Sequence, residues 1–165
     1  MNNLASGAAI ASLLTGLALA QTAARPQTSV DPSRQLMLVK FQDLKWKKLW
    51  DQPCNDKGEY TEIAFSRIDP VTGATDLMIR NPAKCYVRRH WHTANERIYV
   101  LTGTLILECE GKREELGPGG LGYVPSGMLH RAWTKPDEGA LYFIHVDRAW
   151  DTNLAQDPGQ PPWAQ

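Results

Sequence analysis

The sequence predicts an all-β domain, a sandwich or closed barrel of short antiparallel strands. Three observations point there. No segment sustains a helical period. Runs rich in strand formers recur at short spacing. Glycine (13) and proline (11) punctuate those runs. The 165 residues suffice for one domain with a sizeable core. Eighteen basic and 18 acidic side chains leave a formal net charge of zero, which gives no reason to expect nucleic acid or a membrane surface as partner.

Residues 1–20 carry no charged side chain, and Ala8 to Ala20 is an apolar run ending in Ala18-Leu19-Ala20. This is the pattern of a cleavable signal peptide, although its n-region lacks Lys or Arg, and the expected location is outside the cytoplasm, secreted or periplasmic; the alternative is an apolar N-terminal segment on a cytosolic protein. Residues 21–35 are polar and read as a linker or N-terminal arm. The domain is expected over 36–150. Its first β-like segments are "LMLVKF", "YTEIAFSRI" and "TDLMIR", the last two separated by the turn-forming "DPVTG". "ERIYVLTG" and "TLILECEG" read as a hairpin across Thr102 to Thr104, and "GK" at 111–112 as the next tight turn. "GGLGYVP", "LHRAWT" and "ALYFIHV" complete the set. Residues 151–165 form a Pro-rich tail, to lie across the barrel, across a partner subunit, or disordered.

There are three cysteines. Cys109 alternates with Leu105 and Leu107 and is expected to face the core. Cys54 and Cys85 are then the favoured disulfide pair in an exported chain, with three free thiols as the alternative.

The chemistry concentrates in "HWHTANERIYVLTGT", residues 90–104, which holds two of the four histidines. On a strand, alternate side chains share a face, so His90 and His92 point together, ~6.5 Å apart along the chain. Glu96 keeps their parity if the strand resumes after "TAN". A carboxylate facing an apolar interior is costly without a partner, and a divalent metal supplies one. His130, after a Pro-x-Gly turn, is the third available imidazole. Three imidazoles and one carboxylate suit Mn, Fe, Ni, Cu or Zn rather than Ca.

Residues 84–134 resemble the two motifs of the cupin family. The first is met as His90-x-His92-x3-Glu96-x6-Gly103, the second as Gly119-x5-Pro125-x-Gly127-x2-His130, with 15 residues between Gly103 and Gly119. Lys84 stands where the first motif usually opens with Gly, and Thr134 where the second often ends in Asn. The resemblance covers about a third of the chain closely and extends to single-domain cupins related to the anti-sigma-factor-associated group, for which a reaction is generally not assigned. It implies a small antiparallel jelly-roll β-barrel, with His90, His92, Glu96 and His130 as ligands of one divalent metal.

His145 is the remaining histidine. It either lines the pocket as an acid, base or donor to a ligand, making it the one catalytic candidate, or is hydrogen-bonded at the barrel wall. Arg88 shares the parity of His90 and either clamps an anionic substrate or lies past the rim. Tyr99, Tyr123, Trp133 and Phe143 are read as core rather than substrate platform, with one or two of them as alternatives for shaping the cavity. The function expected is a metal-dependent oxygenase, a dioxygenase, acting on a small organic molecule. The alternatives are a non-redox isomerase or lyase, and a binding module without turnover. A homodimer is expected because small barrels bury open strand edges by pairing.

Overall fold

The computed structural model describes residues 36–163, so the expected leader and the arm at 21–35 lie outside the described residues. Eleven strands form two antiparallel sheets. They are β1 (Lys47–Lys48), β2 (Glu62–Ile68), β3 (Thr75–Asn81), β4 (Tyr86–Trp91), β5 (Glu96–Gly103), β6 (Leu105–Cys109), β7 (Lys112–Leu116), β8 (Leu121–Val124), β9 (His130–Thr134), β10 (Ala140–Val146) and β11 (Asn153–Leu154). The six-stranded sheet runs β1-β2-β3-β10-β5-β8 and the five-stranded sheet β11-β4-β9-β6-β7. From β3 onward the chain passes between the sheets at nearly every connection, which makes the fold a jelly roll.

Period-two burial builds the core. In β5, Glu96, Ile98 and Val100 are buried while Arg97, Tyr99 and Leu101 are exposed. In β10, Ala140, Tyr142, Ile144 and Val146 are the buried set. With Ile63, Leu77, Ile79, Leu105 and Ala132 they form one cluster between the sheets.

The strands flanking Gly103 are not the hairpin that the sequence suggests. β5 pairs with β10 and β8, and β6 with β9 and β7. The chain changes sheets at Gly103, where φ is +71° and a Cβ would lie 1.8 Å from the carbonyl oxygen of Gly139. A true hairpin follows between β6 and β7. Its turn is Glu110–Gly111, both at positive φ (47° and 81°), one residue earlier than "GK" implies.

"LMLVKF" is not a strand either. Residues 36–40 are exposed and irregular, and Phe41–Asp43 is one turn of 3-10 helix. An apolar run becomes a strand only where a sheet edge receives it, and none among the described residues does. Tyr99 and Tyr123 are likewise outward and exposed, whereas Trp133 is buried with Tyr86 and Ile106.

The tail crosses its own barrel. β11 pairs with β4, the carbonyl of Pro158 accepts from Arg89 N–H and the Tyr86 hydroxyl, and Trp163 packs on Tyr86 outside the five-stranded sheet. Cys54 and Cys85 are disulfide-bonded, fastening the β1–β2 connection to the start of β4. Cys109 is free and packs against the core.

Candidate metal centre

Three histidines converge at one end of the barrel. His90 lies on β4 and His130 opens β9, and the two are ladder partners. His92 follows the end of β4, and Glu96 opens β5. His90, His92 and His130 form a group able to hold a metal ion, their donor atoms all within 4.8 Å of one another. All three and Glu96 are buried.

Backbone carbonyls aim the rings. Nδ1 of His90 donates to the carbonyl of Arg88 (2.7 Å), that of His92 to Asp151, and that of His130 to Met128 (2.9 Å). A carbonyl only accepts, so each Nδ1 carries the hydrogen and each Nε2 presents its lone pair. Glu96 stands beside this set. Its carboxyl oxygens lie 3.7 Å from His92 Nε2 and 3.4 Å from His130 Nε2.

Burial keeps the cluster uncharged. Desolvation pushes the Glu96 carboxyl up to about 8. It holds His130 down to about 4, and His90 well below its usual range with help from the neighbouring imidazoles. The Glu96–His contacts are therefore not ion pairs near neutral pH. His92 Nε2 and Glu96 Oε2 are buried with no hydrogen-bond partner. A buried imidazole nitrogen and a buried carboxyl oxygen without partners, beside the three grouped histidines, fit the presence of a cation there.

A cavity of about 20 Å³ adjoins His90, Glu96 and His130. Its other walls are apolar, including Ile79, Val87, Ile98 and Leu105, with the Tyr142 ring as the one hydroxyl-bearing group. The Tyr142 hydroxyl accepts from Asn81 Nδ2 at 3.1 Å, and burial raises its pKa. Leu49 and Trp150, both on connections between strands, also line the cavity. The Trp150 ring lies 4.6 Å from that of His92, and Trp50 meets the edge of His90 at 6.1 Å.

His145 does not join the cluster. It alternates with inward Ile144 and Val146, so it lies on the outside of the six-stranded sheet, where Nδ1 bonds Asp76 Oδ1 at 2.7 Å. The wall reading holds, and the pocket-lining catalytic reading is corrected. Arg88 also departs from its expected parity. A register shift between Val87 and His90 turns both of those residues inward and leaves Arg88 at the rim, bonded to Gln52 Oε1 at 3.2 Å. Leu49, Trp50, Trp150 and the Asp151 carbonyl carry no signal in the sequence, because loops deliver them to the site.

Residues 77–147 match the cupin domain family. Comparison with curated proteins returns no match. Among solved structures, the polyketide cyclase RemF from Streptomyces resistomycificus superposes with a TM-score of 0.60 at 21% identity, over 75% of this chain and 90% of that one. An RmlC-like cupin protein from Ralstonia eutropha gives 0.57 at 19% identity, over 74% of each. A mutant oxalate decarboxylase from Bacillus subtilis gives 0.58 at 20% identity, over 74% of this chain and 32% of that one. At these identities the likeness shows the fold alone.

Proposed function

We propose that this chain, a member of the cupin superfamily, binds one divalent transition metal through His90, His92, His130 and Glu96 and uses it in oxygenase chemistry on a small organic molecule. The observation that carries the metal is the orphaned pair, His92 Nε2 and Glu96 Oε2, buried beside two more imidazoles whose hydrogens are already committed. A bound ion would supply a positive centre with coordination positions to spare for a substrate and dioxygen. The chain's own residues do the rest. Carbonyls of Arg88, Asp151 and Met128 orient the imidazoles. The apolar walls exclude water, and Leu49 and Trp150 close over the ligand.

Oxygenase chemistry is preferred to isomerase or lyase chemistry because, among the described residues, the cavity has no free proton carrier. His145 faces away, Glu96 is committed as a ligand, and the Tyr142 hydroxyl is a poor acid held by Asn81. The test offers metal-loaded protein a panel of compact organic molecules in an oxygen electrode and, in parallel, under argon. Oxygen uptake coupled to product supports the reading. Product formed at the same rate under argon contradicts it and favours the non-redox alternative. The metal is one of Mn, Fe, Ni, Cu or Zn. The Cys54–Cys85 disulfide supports an oxidising compartment for the protein.

The protein is further proposed to form a homodimer. Leu121 (66% exposed) and Tyr123 (57%) sit on β8, which among the described residues is an edge strand paired only with β5, beside outward Tyr99 and Leu101. Leu36 and Leu38, each 85% exposed, supply a second apolar segment without a partner among the described residues. One chain thus offers both an open edge and an apolar strip, and a second copy satisfies both.

A further inference from the structure

The cavity beside the histidines differs in character from the rim around it. Among the described residues no lysine or arginine lines it, and apart from His90, Glu96, His130 and Tyr142 its walls are aliphatic or tryptophan. The nearby cation, Arg88, is turned to Gln52 and the Trp50 ring at the rim. Asn81 Nδ2 is directed to the Tyr142 hydroxyl.

Charge then limits what can enter. Bound imidazoles are neutral and Glu96 is a carboxylate, so a divalent ion among them leaves a single positive charge in a buried setting. A monoanionic donor cancels that charge. A dianion leaves one negative charge in a lining that holds no lysine or arginine to pair with it, and burying an unpaired charge is strongly unfavourable. Size acts in the same sense. About 20 Å³ is room for little more than one or two waters, so a ligand enters by displacing Leu49 and Trp150. Both are half-buried and lie on connections rather than strands, so displacing them breaks no strand pairing.

Resting on the metal reading above, we infer that the site takes a compact monoanionic or neutral oxygen donor with an apolar body, admitted past Leu49 and Trp150, and rejects small dicarboxylates. The recognising features are the aliphatic walls and the absence of a lining cation, which set selectivity whatever reaction follows.

The experiment compares butyrate with succinate, which differ by one methyl-for-carboxylate exchange at the far end. Binding to metal-loaded protein is followed by tryptophan fluorescence, to which Trp150 contributes, and by calorimetry. Butyrate is expected to bind at least ~10-fold more tightly than succinate, the equivalent of ~1.4 kcal/mol. Leu49→Arg, which places a cation at the cavity without altering a strand, is expected to erase or invert that preference. Equal or tighter binding of succinate by the native protein overturns the inference, as does failure of both to bind metal-loaded protein. A protein that takes up no metal overturns the metal reading and this inference together. Normal metal uptake with succinate preferred overturns this inference alone.

Discussion

His90 and His130 stand opposite one another as ladder partners on β4 and β9, with ring centroids 4.2 Å apart. Two imidazoles this close, both buried and both kept neutral, are tied by backbone carbonyls on their outer nitrogens. The sheet register therefore sets the spacing of the cluster, while the loop carrying His92 and the first residue of β5 complete it.

The protonation of Glu96 makes metal-free stability depend on pH with a definite sign. The folded chain holds this proton up to about pH 8, whereas an ordinary glutamate loses it near 4.5. Between those values the folded state binds the extra proton, so rising pH destabilises it. His90, His92 and His130 act oppositely, because their depressed values add stability only until pH reaches the usual 6.5. Metal-free protein is expected to lose ~2 kcal/mol between pH 6.5 and 8 in denaturant melts. Glu96→Gln should flatten that decline, and an unchanged slope in the variant would contradict the assignment.

Gly103→Ala is expected to destabilise by ~3 kcal/mol or more, since it combines a left-handed backbone with a Cβ 1.8 Å from the Gly139 oxygen. Gly111→Ala is the control. Its φ is also positive, at +81°, but nothing lies within 4 Å, so it should cost only ~1 kcal/mol. Equal losses in thermal or denaturant unfolding would show that the sheet crossing at Gly103 is not sterically closed.

The disulfide links residues 31 apart and anchors the connection that carries Leu49 and Trp50 to the site. Replacing Cys54 and Cys85 together by serine is expected to lower stability by ~3 kcal/mol. It should also increase acrylamide quenching of tryptophan fluorescence as Trp50 loosens from His90. A stability loss with unchanged quenching would separate the bridge from the closure of the site.

Light scattering of native protein at micromolar concentration is expected to give twice the chain mass. Leu121→Asp combined with Tyr123→Asp should give a monomer. A monomeric native protein would contradict the dimer.

Much of the site was legible in the sequence because strand alternation and turn chemistry act locally. His90 and Glu96 both point into the barrel, although from different sheets because the chain changes sheet between β4 and β5 instead of resuming one strand, and His130 begins a strand after the Pro125-Ser-Gly127 turn. What failed depended on distant partners. Thr102-Gly103-Thr104 has the look of a hairpin turn, and only the approach of Gly139 reveals a sheet crossing. The expected parity of Arg88 fails at the register shift after Val87, which leaves no mark in composition, while its place at the rim is one of the two the sequence allows. In β10 both faces are apolar, so nothing local indicated that Ile144 rather than His145 points inward. Trp150 and the Asp151 carbonyl reach His92 from a segment some 60 positions away along the chain, which no local pattern encodes.

The central claim is that these four side chains hold one metal ion, and the most direct measurement is calorimetric titration of metal-free protein with a divalent transition metal. The account predicts one ion per chain, proton release from Glu96 near neutral pH, and loss of binding in both His92→Ala and Glu96→Ala variants that remain folded. Full metal occupancy in those variants, or no binding by the native protein, would contradict it.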